Sequence, residues 1–120
     1  MFTLSVVLIS LVALLHLFIM WFEMFAWTTK GPEIFKTMAA DMFPKTKSMA
    51  ANQGLYNGFL AVGLIWSLFI SDPTWSNNVA YFFLGCVIVA GLYGAYSVQK
   101  TIFFMQGLPA VIALVTVLLR

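Results

Sequence analysis

Two side chains able to carry acid–base chemistry lie inside a long apolar run: His16 and Glu23, in the stretch HLFIMWFE. An imidazole and a carboxyl group can each accept, donate or relay a proton, and each can orient a ligand by hydrogen bonding. Seven residues is nearly two helical turns, so on an α-helix the two share a face, with Met20 on the same stripe. They are nonetheless about 10.5 Å apart along the axis, beyond direct hydrogen bonding on one straight helix. Cooperation between them therefore needs a third group from water, another helix or a ligand. A second polar cluster follows in NQGLYNG, where Asn52 and Tyr56, and likewise Gln53 and Asn57, are four residues apart. Gln106 supplies a further carboxamide near the end of the chain.

The elements that must hold these groups are read from composition. The 120 residues are 62% hydrophobic and 8% charged, far below the roughly one-quarter charged residues of soluble domains. This composition predicts an integral membrane protein and, at this length, a single domain over 1–120. The net charge of +2 and the lack of a basic aromatic stretch argue against nucleic acid. One cysteine, Cys86, excludes an internal disulfide and a cysteine-based cluster within one chain. The first apolar run is too long for a signal-peptide core of roughly 7–15 residues, and no Lys or Arg precedes it, so it is expected to be retained as a helix.

Four apolar stretches, about 2–27, 49–70, 77–98 and 101–119, meet the roughly 20 residues that a bilayer core requires. Backbone groups in lipid must be paired within the segment, which makes these spans helices. The expected fold is all-α: an integral membrane four-helix up-down bundle. Gly31-Pro32-Glu33 reads as a helix start. Ile34, Phe35, Met38 and Met42 then recur at helical spacing, so an interfacial amphipathic helix is expected over about 32–43. Lys30, Lys36, Lys45 and Lys47 fall in the first loop and Lys100 in the third, against Arg120 on the other side. The positive-inside rule then places both termini on the non-cytoplasmic side.

Counting depth along each helix brings Glu23, Asn52, Gln53, Tyr56, Asn57 and Gln106 into the cytoplasmic half, with His16 nearer mid-bilayer. Gly54 and Gly58 form a GxxxG that lets a neighbouring helix approach closely. Amides and phenols inside membranes commonly serve as interhelical hydrogen bonds, worth about 0.6 kcal/mol each. Glutamine would serve that purpose as well as glutamate, so Glu23, then His16, then Asn57 point to more than packing. Charged residues at mid-bilayer cost about 2.5–3.5 kcal/mol on insertion scales and usually face the protein interior.

Taken together, His16 and Glu23, the stretch ANQGLYNGFLA from Ala51 to Ala61, and QGLPA from Gln106 to Ala110 resemble a small bacterial membrane family, the domain of unknown function DUF1304. The resemblance covers nearly the whole chain and implies a four-helix protein of the bacterial inner membrane, with no established activity, cofactor or catalytic residue.

Three functions compete on this reading. A lipid-soluble small molecule would be bound or transformed in a cytoplasmic-side polar pocket, with Glu23 as the acid/base or hydrogen-bonding group. His16 would be its deeper partner, and Asn52, Gln53, Tyr56, Asn57 and Gln106 the orienting shell. Proton-coupled transport is the second, although the lysine asymmetry opposes the dual orientation of small multidrug exporters. A subunit of a larger membrane complex, or a homo-oligomer joined through glycine-rich helix faces, is the third. His16 and Met20, four residues apart, could share a soft ion, but seven methionines in an apolar chain read as packing, and no metal is assigned. With no arginine before Arg120, a site for the carboxylates of glutathione is not expected.

Overall fold

The computed structural model describes all residues, 1–120, and contains helices and turns without strands. Helix α1 runs from Phe2 to Phe25, an apolar segment free of glycine and proline. It stops at Ala26, whose backbone (φ −121°, ψ 10°) bends the chain directly into α2, Trp27–Ile34. The Ala26 N–H still reaches the Phe22 carbonyl at 3.0 Å, and Lys30 N–H reaches the Ala26 carbonyl at 2.8 Å. The bend therefore leaves few backbone groups unpaired.

Here the structure differs from the sequence expectation. The 32–43 segment is not one amphipathic helix that starts at Pro32. Pro32 instead lies inside α2, near its end. Its ring removes the N–H that would bond the Thr28 carbonyl, and the helix stops two residues later. Turns follow, then α3, a single turn over Met42–Lys45. Interruption of the helix changes the phase of the apolar positions. Phe43 becomes the fully buried anchor, while Ile34 and Met42 are exposed.

Helix α4 spans Lys47–Phe69 and α5 spans Pro73–Ser97. The start of α5 precedes the expected one because Asp72 caps it. Its Oδ1 accepts from Thr74 N at 2.8 Å and Trp75 N at 3.4 Å, with proline in the first turn. The last apolar segment opens with a π-helical turn, Phe103–Gly107, before α6, Leu108–Leu119. Pro109 explains the widened turn: it has no N–H for the Met105 carbonyl, and the wider loop relieves its ring's clash with the preceding turn.

By length and composition, α1 and α5 can each cross a membrane, with mean hydropathy of 2.6 and 1.8. Helix α4 is as long, but Asn52, Gln53, Tyr56 and Asn57 dilute its apolarity, and the Phe103–Leu119 segment is shorter. Two of the four expected spans thus meet the criterion.

Contacts divide the chain into two compact units, Met1–Leu15 with Leu60–Arg120, and His16–Phe59. The first has an apolar core drawn from Ile9 and Val12 of α1, Leu64 of α4, Leu84 and Val87 of α5, and Ala113 and Val117 of α6. A Cβ on Gly91 would lie 2.9 Å from both the Cα and N of Gly107, so α5 and the π turn touch backbone to backbone. Only glycine fits there. The second unit holds the polar residues singled out in NQGLYNG together with His16 and Glu23.

Candidate functional site

Within the His16–Phe59 unit, the first half of α4 is seated on the end of α1 through Gly54. A Cβ there would meet Met24 Cγ at 2.8 Å, Glu23 Cβ at 3.0 Å and the Met20 carbonyl oxygen at 3.0 Å. Bare backbone at this position is what allows the approach. At Gly58 the neighbour is the flexible end of Met20, its Sδ 2.6 Å from the same hypothetical atom. Ala50, four residues before Gly54, is buried on the same face.

Asn57 borders this seam, and that is where the chemistry lies. Its Nδ2 donates to Glu23 Oε1 at 2.7 Å and to the Gln53 backbone carbonyl at 3.2 Å. The Gln53 carbonyl can only accept, which fixes the orientation of the amide. Both Nδ2 hydrogens are then used. Asn57 Oδ1 and Glu23 Oε2 make no hydrogen bond within the chain. Glu23 is only 8% exposed and takes part in neither of the two ion pairs, Lys30–Glu33 and Lys45–Asp41. The result is a mostly buried carboxyl group with one oxygen held by an amide and one open.

The other sequence-selected residues take different places. His16 is fully buried, at 0% exposure, on the same helix as Glu23. Asn52, Gln53 and Tyr56 are exposed, because they point away from the Gly54–Gly58 seam. The Tyr56 ring packs edge-on against Phe59 with centroids 5.5 Å apart. Gln106 is half-buried on the π turn of the other unit, and its carboxamide makes no hydrogen bond in the chain.

One supporting cluster escaped the sequence reading. Trp27 packs against Phe22, Phe35 and Phe43 at centroid distances of 5.8, 5.8 and 5.1 Å. Its indole N–H donates to Thr46 Oγ1 at 2.9 Å. This cluster ties the 35–46 segment to the end of α1, one turn from Glu23. The available signal was the recurrence of aromatics at 22, 27, 35 and 43, which follows no single helical period because the helix breaks twice between them.

Comparison with known sequences agrees with these motifs. The family profile described as a protein of unknown function, DUF1304, matches residues 10–118. The uncharacterized protein YpaA of Lactococcus lactis subsp. lactis (strain IL1403) is 31% identical over 115 residues, covering 94% of this chain and 95% of that relative. No solved structure matches the chain. A profile match spanning His16, Glu23, the Gly54–Asn57 seam and Gln106 places the assignment beyond a single motif: the chain belongs to the DUF1304 family.

Proposed function

We propose that this protein is a small four-span protein of the bacterial inner membrane, and that its Glu23–Asn57 pair binds a lipid-soluble molecule through a hydroxyl or amine donor. Support for the membrane setting comes from α1 and α5, whose apolar windows are only 28% and 22% buried within the protein. The core helix of a soluble protein would be mostly buried. Exposed Phe18, Phe82, Val89 and Tyr96 on these helices present apolar surface better suited to acyl chains than to water. The lysines at 30, 36, 45, 47 and 100 favour loops one and three in the cytoplasm and both termini outside.

The observation that carries the ligand reading is the 2.7 Å bond from Asn57 Nδ2 to Glu23 Oε1, which leaves Glu23 Oε2 and Asn57 Oδ1 as two open acceptors. A carboxyl oxygen and an amide oxygen left without partners beside apolar side chains would select a ligand by its donor, while its hydrocarbon body remains in the lipid. His16 belongs to the site as its deeper polar group, and Asn52, Gln53 and Tyr56 form its outer rim. Binding is the activity assigned; the arrangement requires no reaction.

A second reading, a subunit of a larger membrane assembly, is favoured by the shallow apolar hollow on α5 along Phe82, Gly85, Cys86 and Val89. At Gly85 an added Cβ would meet nothing within 4 Å.

Native mass spectrometry of protein extracted gently from its own membranes separates the two. A small lipid-soluble adduct on the wild type that is absent from Glu23→Gln is the expected result. Identical spectra for both, with other chains co-purifying, would favour the subunit reading and remove the ligand site.

A further inference from the structure

The unit containing both termini holds a guanidinium that the ligand reading leaves unused. Arg120 Nε donates to Asn77 Oδ1 at 2.8 Å, Nη1 to Ser5 Oγ at 2.9 Å and Nη2 to Ser76 Oγ at 3.3 Å. The guanidinium carbon lies 5.2 Å from the centre of the Phe2 ring. Both hydroxyls are held in turn, Ser5 Oγ donating to the Phe2 carbonyl and Ser76 Oγ to the Ser67 carbonyl, each at 2.7 Å. The three side-chain acceptors that Arg120 reaches are neutral, and it takes part in neither of the two ion pairs. A guanidinium has five N–H bonds, and three are used. One remains on each terminal nitrogen.

A cleft of about 230 Å³ opens beside this group. Ser76, Asn77 and Arg120 form its polar side, and Phe2, Val6 and Leu68 its apolar side. We propose that the cleft binds the phosphate of a phospholipid, with the two remaining N–H bonds on phosphate oxygens and the glycerol end of the lipid over Phe2 and Val6. Three features lead to this ligand. No Asp or Glu side chain pairs with the guanidinium, which favours an anionic over a neutral headgroup. A guanidinium held flat by neutral acceptors presents its donors in the geometry that phosphate accepts. The apolar wall beside it favours a lipid over inorganic phosphate. The N-terminus of α5 is not the attraction, since Asp72 already occupies its first-turn amides. This inference rests on the membrane reading above and is independent of the Glu23 pair.

The test is a titration of delipidated protein in detergent, followed by native mass spectrometry. The probes are dioleoylphosphatidylglycerol, dioleoylglycerol with the same chains, and inorganic phosphate. The expected result is one tightly held phosphatidylglycerol per chain, with at least tenfold weaker binding of dioleoylglycerol. Arg120→Gln should weaken phosphatidylglycerol binding at least tenfold. Arg120→Lys should weaken it several-fold, since an ammonium keeps the charge without the fork. Equal binding of the two lipids by the wild type, a comparison that needs no variant, would overturn the proposal. So would unchanged lipid binding by a folded Arg120→Gln, or inorganic phosphate occupying the site while phosphatidylglycerol does not. Recovery of the chain from the soluble cell fraction would overturn the membrane reading together with this inference. Loss of headgroup selectivity in membrane-derived protein would overturn this inference alone.

Discussion

Glu23 in one unit and Arg120 in the other are the charged side chains held among helices, and they are satisfied to different extents. Glu23 is nearly buried and receives one hydrogen bond, although a carboxylate offers about four lone-pair positions. Arg120 is only half-buried, makes three hydrogen bonds and lies against an aromatic ring. Burial and satisfaction thus run in opposite senses. The cation is largely accommodated by the chain itself, whereas the carboxyl group depends on one amide and on whatever meets its second oxygen. Disturbing the carboxyl side should therefore cost more than disturbing the guanidinium side.

The largest effect should come from separating the two helices that bring Glu23 to Asn57. Gly54→Leu adds a branched side chain where a single Cβ already meets the Met20 carbonyl oxygen at 3.0 Å. It should cost about 3 kcal/mol, at the upper end for overpacking, measured by reversible unfolding in mixed micelles. Gly58→Ala, facing the movable Met20 Sδ, should cost under about 1 kcal/mol, because an unbranched thioether can swing aside. Equal penalties at the two glycines would mean that the seam is not backbone-limited.

Next comes Asn57→Leu, which removes the single donor to Glu23. Leaving a buried acceptor unpaired costs about 1–3 kcal/mol. A cycle with Glu23→Gln should recover part of that cost, since a neutral amide needs the partner less. Simple addition of the two single effects would show that the pair is not coupled.

Arg120→Gln should be milder, about 1 kcal/mol, because its partners Asn77, Ser5 and Ser76 are neutral and near solvent. A penalty larger than that of Asn57→Leu would reverse the comparison.

Smallest of all is Trp27→Phe, which keeps the ring cluster but loses the 2.9 Å indole bond to Thr46. A loss of about 0.5–1 kcal/mol is expected from thermal melting. Thr46→Val should cost at least as much, since it also removes the 2.8 Å bond from Thr46 Oγ1 to the Met42 carbonyl, and adding Trp27→Phe to it should cost little more.

How much of this was legible in the sequence depends on the range over which each feature is encoded. Helical content and the Gly54–Gly58 seam are local patterns and are readable from the sequence. The start of α5 was equally local: Asp72 followed by Pro73 is a cap and a first-turn proline. Gathering Asn52, Gln53, Tyr56 and Asn57 into one polar face went further than the helix allows. Asn57 sits beside the seam, whereas Tyr56 lies one residue, about 100°, round the helix from it and points outward. The 32–43 segment departs from its local pattern because Pro32, a residue that suits a helix start, here lies two residues before a helix end. The Arg120 network links residues up to 115 positions apart, and no local pattern announces such a contact. The same holds for Gln106, whose turn became π-helical to accommodate Pro109.

The central claim is that Glu23 Oε2 is open to a ligand's donor. Difference infrared spectroscopy in the carboxyl stretching region tests it most directly, comparing protein as extracted with protein stripped of bound organic material by detergent exchange. Glu23→Gln identifies which band belongs to Glu23. The account predicts that this band shifts when the bound material is removed and returns when the organic extract is added back. A Glu23 band identical before and after stripping would contradict it and leave the Glu23–Asn57 bond as a contact between helices and nothing more.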